Sequence, residues 1–600
     1  MKPFILFIGV MSFSFGMAQV AIDNTFFVNQ GAILYLGPAT TISTNGELKS
    51  EGGNITINTN LIGDDKFALD ANSNVILENG TLTFSNELDE EMNNLTISTT
   101  ATVEVLAGNT LALNGSLENN NTAAGLKLLA DATDNYSMVL VEGNQTGAGQ
   151  VLAELYVTGG SGWKYIGSSV NTNFLDLKVG AHSLVAAAYP QGNLFYWDAN
   201  TAQWAFPNTV NANFEQGRGY NVFMGNSSGG TYVTNLPGKI DLQGTLLSNG
   251  DVTKTLVYNN GQGSTENFAG GTTLTYTQGW NMLANPYPCA YDLTNQARPT
   301  GTSNAYYIWN TNGGASGQFA QYVNNVGVNG GVPYLAPFQA FFIQTASATP
   351  GDFTFKANQR VVSQKPPHFK TNTINNNMRL SVFSLSDKTN SDENYLEFEE
   401  SATNAFDLDW DAREMENGNG VPNLYYAVDG DEFAINRMAI FRDSKTIPVH
   451  FKCDESGRFE IDSELFGMDY SWSIELEDLQ TGFMHDLRKG SVRFEHSTEN
   501  LENRFLLHIN GGEDEYFNSK SRRVKIYSHQ NNVIVKLRGQ EMAIKEVAVY
   551  HMSGRLLTQT EMEPKQIELT LPVSFRDRGV FMVVFKSAHF TVAEKVILQN

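Results

Sequence analysis

Pairs of apolar residues spaced two apart recur along the first quarter of the chain, with Asn- and Gly-containing turns between them. Stacked coils of a β-solenoid require such a repeat, because each coil buries its inward pair only against its neighbours. The spacing predicts a β-solenoid-like region over residues 19–145; an irregular β-sandwich remains the alternative, since its strands are spaced similarly. One series repeats every 20 residues and a second after 21 and then 23: Ile55/Ile57, Val75/Leu77 and Leu95/Ile97; Leu82/Phe84, Val103/Val105 and Leu126/Leu128.

The segment that follows is predicted to be duplicated. Three aromatic landmarks return in the same order, with offsets of 117, 112 and 118 residues. Because three landmarks keep both their order and nearly their spacing, we predict two tandem β modules, 146–265 and 266–362. The matched segments are 162–166 with 279–283, 194–198 with 306–310, and 219–223 with 337–341.

Two further β units are predicted beyond the modules. Two polar segments, residues 363–377 and 511–523, are interpreted as linkers. The first of them also contains prolines. Alternating apolar residues between them predict a β-sandwich over 378–510. Residues 524–600 hold about seven short strands with frequent turns, which is typical of a small Ig-like sandwich. The predicted fold class is therefore all-β and multidomain.

The amino-acid composition agrees with many short strands and argues against one class of binding partner. Charged residues make up 17% of the 600 residues, below the ~25% of an average globular protein, and 54 residues are glycine. The net charge of −24 argues against nucleic acid as a partner, because nucleic acid requires clustered cations. The sign changes near the end: residues 521–600 hold 12 Lys/Arg and 7 Asp/Glu (+5), which leaves −29 on the rest.

The first residues have the features of a secretory signal peptide. A lysine at position 2 precedes an apolar stretch, residues 4–15, that is too short to span a bilayer. Small residues at 16 and 18 then predict cleavage between Ala18 and Gln19, so residues 1–18 are expected to be removed. A buried N-terminal strand is the alternative. No later segment reaches ~18 apolar residues, and no transmembrane helix is predicted in the mature chain.

Three motifs occur in order at the end of the chain. They are a hydrophobic-Tyr-x-x-x-Gly-x-hydrophobic stretch containing Tyr550 and Gly554, a strand containing Gly579 and Phe581, and a terminus containing Lys595 and Val596. Together they make residues 524–600 resemble the type A C-terminal sorting domain of the type IX secretion system, found on exported proteins of Bacteroidetes.

The match has two departures from the family pattern. A histidine stands at 551, where Asp or Asn is commoner, and residues 528–531 replace the usual Pro-Asn-Pro opening. Both departures leave the subtype open. An ordinary Ig-like terminal domain without a sorting role is the alternative.

The resemblance implies a route and partners. After export to the periplasm, the outer-membrane translocon would recognise the folded C-terminal domain. A surface peptidase would then remove the domain, for which residues 518–523 offer an accessible stretch. The cargo would be released or attached to lipopolysaccharide. The expected location is therefore extracellular or on the cell surface.

No catalytic constellation is found in the sequence, so an enzyme is not predicted. A GxSxG match at 225–229 leads into a strand, whereas a nucleophile elbow needs a following helix. HExxH, GxxxxGK and CxxC motifs are absent from the sequence. Cys289 and Cys453 lie 164 residues apart and provide no disulfide framework, and whether they pair stays open.

Two weaker site candidates remain. Asp407, Asp409 and Asp411 alternate as they would on a strand edge, where such carboxylates can bind Ca²⁺, although a solvated acidic edge is the main interpretation and the spacing is not that of an EF-hand. Five of the seven tryptophans lie in the duplicated modules and are interpreted mainly as core anchors. Trp204, in a turn-like stretch, is the candidate for stacking on a sugar.

Two functions stay open at this stage. The first is a non-enzymatic, secreted or surface-attached β protein, adhesin-like or structural, without a cofactor other than possible Ca²⁺. The second is a secreted protein that binds or degrades glycans through the Trp-rich modules.

Overall fold

The computed structural model is all-β throughout the part of the chain that it describes. No α-helix occurs there, and the helical elements are two 3₁₀ helices, Phe174–Asp176 and Ala357–Gln359. The described residues are 5–8, 20–22, 25–38, 40–42, 47–63, 67–85, 89–158, 162–179, 182–183, 193–209, 211–225, 236–259, 278–310, 317–363, 377–399, 401–441, 444–466, 468, 472–510, 524–529, 532–537, 545–551, 555–562, 566, 568–572, 579–587 and 591–598.

The first region confirms the predicted β-solenoid. Successive strands pair in parallel and in chain order, which is the arrangement of stacked coils and not of an irregular sandwich. Its strands are β1 (Ile5–Ile8), β2 (Val20–Ile22), β3 (Thr25–Asn29), β4 (Ile33–Leu36), β5 (Thr40–Ile42), β6 (Glu47–Glu51), β7 (Asn54–Asn58), β8 (Leu61–Gly63), β9 (Phe67–Ala68), β10 (Asn74–Phe84), β11 (Asp89–Met92), β12 (Asn94–Val105), β13 (Thr110–Leu113), β14 (Leu117–Asn119), β15 (Leu126–Leu128), β16 (Met138–Val141), β17 (Gln145–Thr146) and β18 (Val151–Val157).

The register of the coils places both predicted apolar series in the core. Val75 pairs with Ile55 on one side and with Leu95 on the other, and Val103 pairs with Leu82 and Leu126. All these side chains are buried, because each is covered by its equivalent on the coils above and below.

Asparagine side chains link the coils at one corner of the stack. Asn74 Nδ2 donates to Asn54 Oδ1 at 3.0 Å, and Asn94 Nδ2 donates to Asn74 Oδ1 at 2.7 Å. Asn94 Oδ1 accepts from the backbone N–H of Ser116 at 2.7 Å. The recurring Asn therefore satisfies polar groups that stacking removes from water.

Strand β1 lies within the predicted signal peptide. It pairs in parallel with β4, with Ile5 opposite Ile33, which corresponds to the alternative of an N-terminal strand. Ala18 and Gln19 lie outside the described residues, so cleavage between them stays a prediction.

Two sheets beyond the solenoid share one strand order. We refer to the predicted modules, residues 146–265 and 266–362, as repeat 1 and repeat 2. In repeat 1 the strand order is β19-β25-β23-β24, and in repeat 2 it is β28-β34-β30-β31-β32. The strands from here to residue 361 are β19 (Gly162–Ile166), β20 (Val170–Asn171), β21 (Leu177–Val179), β22 (His182–Ser183), β23 (Leu194–Asp198), β24 (Gln203–Ala205), β25 (Tyr220–Met224), β26 (Gly238–Leu246), β27 (Val252–Lys254), β28 (Trp280–Ala284), β29 (Ala290–Asp292), β30 (Tyr306–Asn310), β31 (Gln318–Val323), β32 (Val326–Val328), β33 (Tyr334–Leu335), β34 (Ala340–Gln344), β35 (Phe353–Phe355) and β36 (Arg360–Val361).

The strand register corrects one of the three predicted matches. Ile166 lies opposite Tyr220 in repeat 1, and its counterpart Leu283 lies opposite Phe341 in repeat 2. Tyr220 therefore corresponds to Phe341, an offset of 121 residues, and not to Phe338 as the offset of 118 predicted. Both segments contain an aromatic residue three positions before a Phe, Tyr220 before Phe223 and Phe338 before Phe341, so the sequence alone favoured a match shifted by three residues.

Buried side chains from both sides of the boundaries predicted at 145, 265 and 377 share hydrophobic clusters. Val141 of the solenoid and Val222 of repeat 1 belong to one cluster, and Leu140 shares another with Tyr287 of repeat 2. Tyr395, beyond the predicted linker, packs in the cluster that holds Trp280. The solenoid, the repeats and the next sheet are thus joined through apolar contacts.

The region predicted as a β-sandwich is formed by one continuous sheet of eleven strands. Side chains from strands near its two ends, such as Ile474 and Phe494, lie in the same hydrophobic cluster, so the sheet folds over onto itself. Its strands are β37 (Asn377–Ser384), β38 (Ser391–Glu399), β39 (Ala412–Arg413), β40 (Asn423–Val428), β41 (Asp431–Ala439), β42 (Ser444–Lys452), β43 (Gly457–Phe466), β44 (Ser473–Asp478), β45 (Phe483–Asp486), β46 (Val492–His496) and β47 (Phe505–Asn510).

The C-terminal region contains seven strands in two sheets, β48-β49-β52 and β51-β50-β53-β54. Within the described residues these strands pair only with one another, and their buried residues form a separate hydrophobic cluster. The strands are β48 (Val524–His529), β49 (Asn532–Leu537), β50 (Lys545–His551), β51 (Leu556–Glu561), β52 (Glu568–Pro572), β53 (Gly579–Ser587) and β54 (Thr591–Leu598).

Candidate functional site

The three predicted sorting motifs lie on adjacent strands of the C-terminal domain. Strand β53, which begins at Gly579, is central and pairs with β50 on one side and β54 on the other. Met582 consequently lies between Tyr550 and Lys595, and Phe581 lies between His551 and Val596. The fold brings together segments that are separated by about thirty and fifteen residues in the sequence. Gly554 lies outside the described residues.

The motif residues divide between the two faces of this sheet. Phe581 and Val596 are buried in the domain core. On the other face, Tyr550 and Met582 are half-buried and Lys595 is exposed. Because side chains alternate between the two faces of a strand, Phe581 and Val596 stabilise the domain core, whereas Tyr550, Met582 and Lys595 lie on the other face, at the surface.

A tight connection positions the tyrosine of the first motif. The backbone N–H of His551 donates to the carbonyl of Arg555 at 2.9 Å, which closes the hairpin between β50 and β51. The register shifts between Val549 and Tyr550, as in a β-bulge. The His551 ring lies 6.1 Å from the Phe581 ring in an edge-on arrangement, so the histidine that departs from the family pattern contacts the second motif.

The tryptophans of the two repeats form a reciprocal interface. Trp197 Nε1 of repeat 1 donates to the carbonyl of Trp280 in repeat 2 at 2.8 Å. Trp309 Nε1 of repeat 2 donates to the carbonyl of Trp163 in repeat 1 at 3.2 Å. Trp197 and Trp309 are equivalent positions, as are Trp163 and Trp280, so the repeats meet as two halves of a pseudo-symmetric pair.

Trp204 is part of this aromatic interface. It lies on β24, and not in the turn that the sequence predicted, directly opposite Trp197. Its ring centroid is 5.4 Å from that of Trp197, 5.8 Å from that of Tyr165 and 6.1 Å from that of Phe342. Phe319 occupies the equivalent position in repeat 2 and is fully buried. Trp204 is partly buried and packs against this hydrophobic cluster, which favours a structural role over a sugar contact.

The three aspartates proposed for Ca²⁺ lie on a turn, and the expected strand edge is wrong. The backbone N–H of Asp411 donates to the carbonyl of Asp407 at 2.9 Å, which closes the turn. Asp411 is buried, and its carboxylate accepts from the backbone N–H groups of Asp407 and Arg437, both at 2.7 Å. Burial raises the pKa of Asp411 to about 7. The carboxylate of Asp409 pairs with Arg298.

The carboxylates of these three aspartates therefore bond to backbone groups or to an arginine of the same chain, and they do not converge on one point. Among the described residues, no group of three His, Cys, Asp or Glu side chains could hold a metal ion. Cys289 and Cys453 are both buried free thiols, which answers the question of their pairing. Residues 226–229 of the GxSxG match lie outside the described residues. No described helix is long and apolar enough to cross a membrane.

A cavity of about 140 Å³ lies where the end of the solenoid meets both repeats. Apolar and aromatic side chains dominate the wall, among them Tyr136, Val157, Ile308, Trp309 and Phe338. Lys164 is the one cationic residue among the described residues that line the cavity, and no carboxylate is among them. Junctions between domains are common positions for ligand sites.

Lys164 enters the cavity from an apolar strand. On β19 it lies opposite Val222 and shares a face with Ile166, both of which are buried in the main core. The side chain is consequently 94% buried (relative exposure 6%). Burial lowers the pKa of Lys164 to about 8, because the charged ammonium is separated from water.

Asn310 supplies a second donor at the cavity wall. Its side-chain Nδ2 is buried and has no hydrogen-bond partner. The other amides at the wall are engaged: Asn135 Nδ2 donates to the carbonyl of Tyr156 at 2.7 Å, and Gln339 Oε1 accepts from the backbone N–H of Ala336 at 3.0 Å.

Sequence reasoning treated Lys164 only as part of a repeated aromatic landmark. The available signal was the lysine itself, since it replaces an apolar residue in an otherwise alternating buried strand. Its counterpart in repeat 2 is Asn281, so the two repeats differ in charge at this position.

Comparison with known proteins yields one family. The family model described as a domain of unknown function (DUF8693) matches residues 69–509, about three quarters of the chain. No curated protein matches the chain. The matched span begins inside the solenoid and ends with the eleven-stranded sheet, so that it covers the joined body and excludes β48 to β54.

Proposed function

The chain belongs to the DUF8693 family, whose function is unknown, and we propose its role from the domain that lies outside the family match. The proposed role is that of an exported, non-enzymatic β protein, adhesin-like or structural, at the cell surface or released from it. Residues 524–600 act as its type IX sorting domain, and residues 1–18 as its signal peptide.

One observation carries this proposal. The seven C-terminal strands have their own sheets and their own core, and they join the three motif segments on β50, β53 and β54. A sorting signal that is read in the folded state must fold independently of its cargo. The exposed or half-exposed Tyr550, Met582 and Lys595 give such a signal a surface that a receptor can contact.

The body of the protein supports a structural or adhesive role. The solenoid, the repeats and the eleven-stranded sheet share hydrophobic clusters and form one joined scaffold. The net charge of −29 on residues 1–520 keeps such a scaffold soluble. The absence of a catalytic motif in the sequence is the reason for proposing a non-enzymatic role.

The proposed partners are the outer-membrane translocon and its surface peptidase. Cleavage within residues 518–523 would separate the positively charged domain from its negatively charged cargo. The cargo is then free or attached to lipopolysaccharide. We do not propose glycan binding through Trp204, because that indole packs against three other aromatic rings.

Deletion of residues 521–600 tests the sorting role. We expect the shortened protein to fold but to accumulate in the periplasm, because the translocon no longer finds its signal. Fractionation of a native or related host that has a type IX secretion system measures where the shortened protein accumulates. Mass spectrometry of the full-length protein is expected to show a mature N-terminus at Gln19. Normal amounts of the shortened protein outside the cell would disprove the assignment.

Two point variants separate recognition from folding in the same assay. Lys595→Glu reverses an exposed charge and should leave the domain folded while lowering export. Phe581→Ala removes a fully buried ring and should unfold the domain. If Lys595→Glu exports normally, the surface next to Met582 is not part of the signal, although the deletion can still establish the domain's role.

A further inference from the structure

We propose that the processed protein forms a closed dimer through the open end of its solenoid, with β4 of one copy pairing antiparallel to β4 of a second copy. The open end is the face formed by the outer edges of β2, β3 and β4, the first described strands after residue 18. This inference rests on the proposed removal of residues 1–18 and is independent of the C-terminal domain.

Removal of the signal peptide uncovers one edge of β4. In the unprocessed chain, residues 5–8 of β1 pair with residues 33–36 of β4, and β7 pairs with the other edge of β4. Cleavage after Ala18 takes β1 away, so the N–H and C=O groups on that side of β4 lose their partners. Within the described residues, β2 and β3 pair on one side only, with β5 and β6. The processed chain therefore begins with a coil that has three open strand edges.

The open end lacks the residues that usually protect an exposed strand edge. Natural proteins place charged side chains or Pro on such edges, which prevents pairing with another chain. None of β2, β3 and β4 contains a charged residue or Pro. Residues 19–38 hold one charged side chain, Asp23, whereas 17% of the whole chain is charged. Two copies of this end can therefore approach with little charge repulsion.

Apolar side chains at the open end are incompletely covered. Phe26 lies opposite Leu48 of the next coil and packs against the same hydrophobic cluster, but Phe26 is half-buried whereas Leu48 is fully buried. Phe27, which follows it on β3, is 54% exposed. A coil buries its inward residues fully only between two neighbours. A second copy stacked on this end supplies the missing neighbour.

The opposite end of the solenoid is closed, which limits the assembly to two copies. There β18 pairs antiparallel with β26 of repeat 1, and the backbone N–H of Val139 on β16 donates to the carbonyl of Pro288 at 3.0 Å. Head-to-tail stacking into filaments needs two open ends, whereas a two-fold axis at a single open end gives a closed dimer. A two-fold axis perpendicular to β4 makes the two copies of this strand antiparallel, which is a stable strand pairing.

Analytical ultracentrifugation of the chain that begins at Gln19, expressed directly with that N-terminus, tests the proposal. We expect a concentration-dependent dimer with a Kd of about 10 µM or tighter, and no larger species. The chain that retains residues 1–18 is the control and should be monomeric at the same concentrations, because β1 covers β4. Mass spectrometry of the exported protein tests cleavage separately, so failure of the signal-peptide proposal is distinguishable from failure of the dimer.

Two matched variants locate the contact. Tyr35→Lys places a positive charge in the middle of β4, close to the same charge on the second copy, and should weaken dimerisation at least about tenfold. Ile76→Lys is the control, because Ile76 is 43% exposed and lies on the same ladder two coils further along, with paired strands on both sides. Ile76→Lys should leave dimerisation unchanged.

Tyr35→Cys provides a second readout if Tyr35→Lys fails to fold. The native Cys289 and Cys453 are buried, so oxidation should cross-link the dimer through residue 35, and Ile76→Cys should not cross-link. The proposal is overturned by a monomer at ~100 µM, about tenfold above the expected Kd, by species larger than a dimer, or by equal effects at positions 35 and 76. Binding of a peptide with the sequence of residues 3–10 to a processed chain that stays monomeric would also overturn it, since the open edge would then receive a strand from another protein.

Discussion

At the scale of single residues, the burial of Lys164 lowers the stability of the fold at neutral pH. The pKa of its amine falls from 10.5 to about 8 on folding because the side chain is buried. Between these pH values the unfolded chain holds a proton that the folded chain lacks, so stability rises with pH across this window. Below pH 8 both states hold the proton, and the full cost, on the order of 3 kcal/mol, is present.

Lys164→Met should therefore stabilise the protein at pH 7. We expect a gain of up to about 3 kcal/mol, which shrinks as the pH approaches 10 because the wild-type amine is then neutral in the fold. Urea denaturation of both proteins at pH 7 and pH 10 measures the difference. The other titratable side chains at the cavity wall, Tyr136, Tyr156, Tyr165 and Tyr334, are present in both proteins and cancel. An unchanged difference between the two pH values would contradict the buried ammonium.

At the scale of elements, paired tryptophans hold the two repeats together. The Trp197 bond to the Trp280 carbonyl is shorter, at 2.8 Å, than the Trp309 bond to the Trp163 carbonyl, at 3.2 Å. Both indoles are buried, so loss of either bond leaves a carbonyl without that donor in a dry interface.

Trp197→Phe should lower the free energy of unfolding by about 1–3 kcal/mol, and Trp309→Phe by less. Each change keeps an aromatic ring and removes the N–H donor, so the two variants are matched controls for one another. Equilibrium denaturation measures both. Equal and negligible losses would show that these hydrogen bonds do not stabilise the repeat interface.

The sequence predicted elements well where the pattern is local and periodic. The pairs Val75/Leu77 and Leu95/Ile97 predicted coils and even their register, because each coil repeats its neighbour. The third repeat match failed by three residues, since strand pairing, which is non-local, decides the register. The turn at Asp411 was not foreseen for a similar reason, because its carboxylate bonds to Arg437, which is distant in sequence. The strand position of Trp204 depends on a local hairpin with Trp197, which the polar residues around it did not indicate.

The C-terminal motifs and the cavity also differ in how far the sequence predicted them. The predicted sorting motifs were identified from residues that are close in sequence, and the fold places the three segments on adjacent strands. The cavity was not predicted, because its wall combines residues from 135 to 339 and only the folded chain brings them together.

At the scale of the whole molecule, the protein divides into a joined body and a separate tail domain. Hydrophobic clusters run through residues 28–509, while the cluster of residues 533–596 stands apart from them. The polar segment between the two contains Lys520, Arg522 and Arg523.

Limited trypsin digestion should cut first at these three residues and release both parts folded. Two unfolding transitions are expected by calorimetry, and Phe581→Ala should abolish only that of the tail. Loss of a buried Phe costs about 3–5 kcal/mol, which is comparable to the total stability of a domain of ~80 residues. A single transition, lost as a whole in Phe581→Ala, would mean that tail and body unfold together.

The reciprocal meeting of the repeats has a consequence for how such a protein can acquire new chemistry. Each half supplies one indole donor and one carbonyl acceptor to the interface, so the same arrangement is built twice within one chain. A position that lies outside these contacts can then differ between halves without loss of the assembly. Lys164 and Asn281 are such a position: the Asn281 amide bonds to the backbone, whereas Lys164 places a titratable amine at the equivalent point. Internal duplication thereby allows one copy of a position to change its chemistry while the other copy keeps its structural contacts.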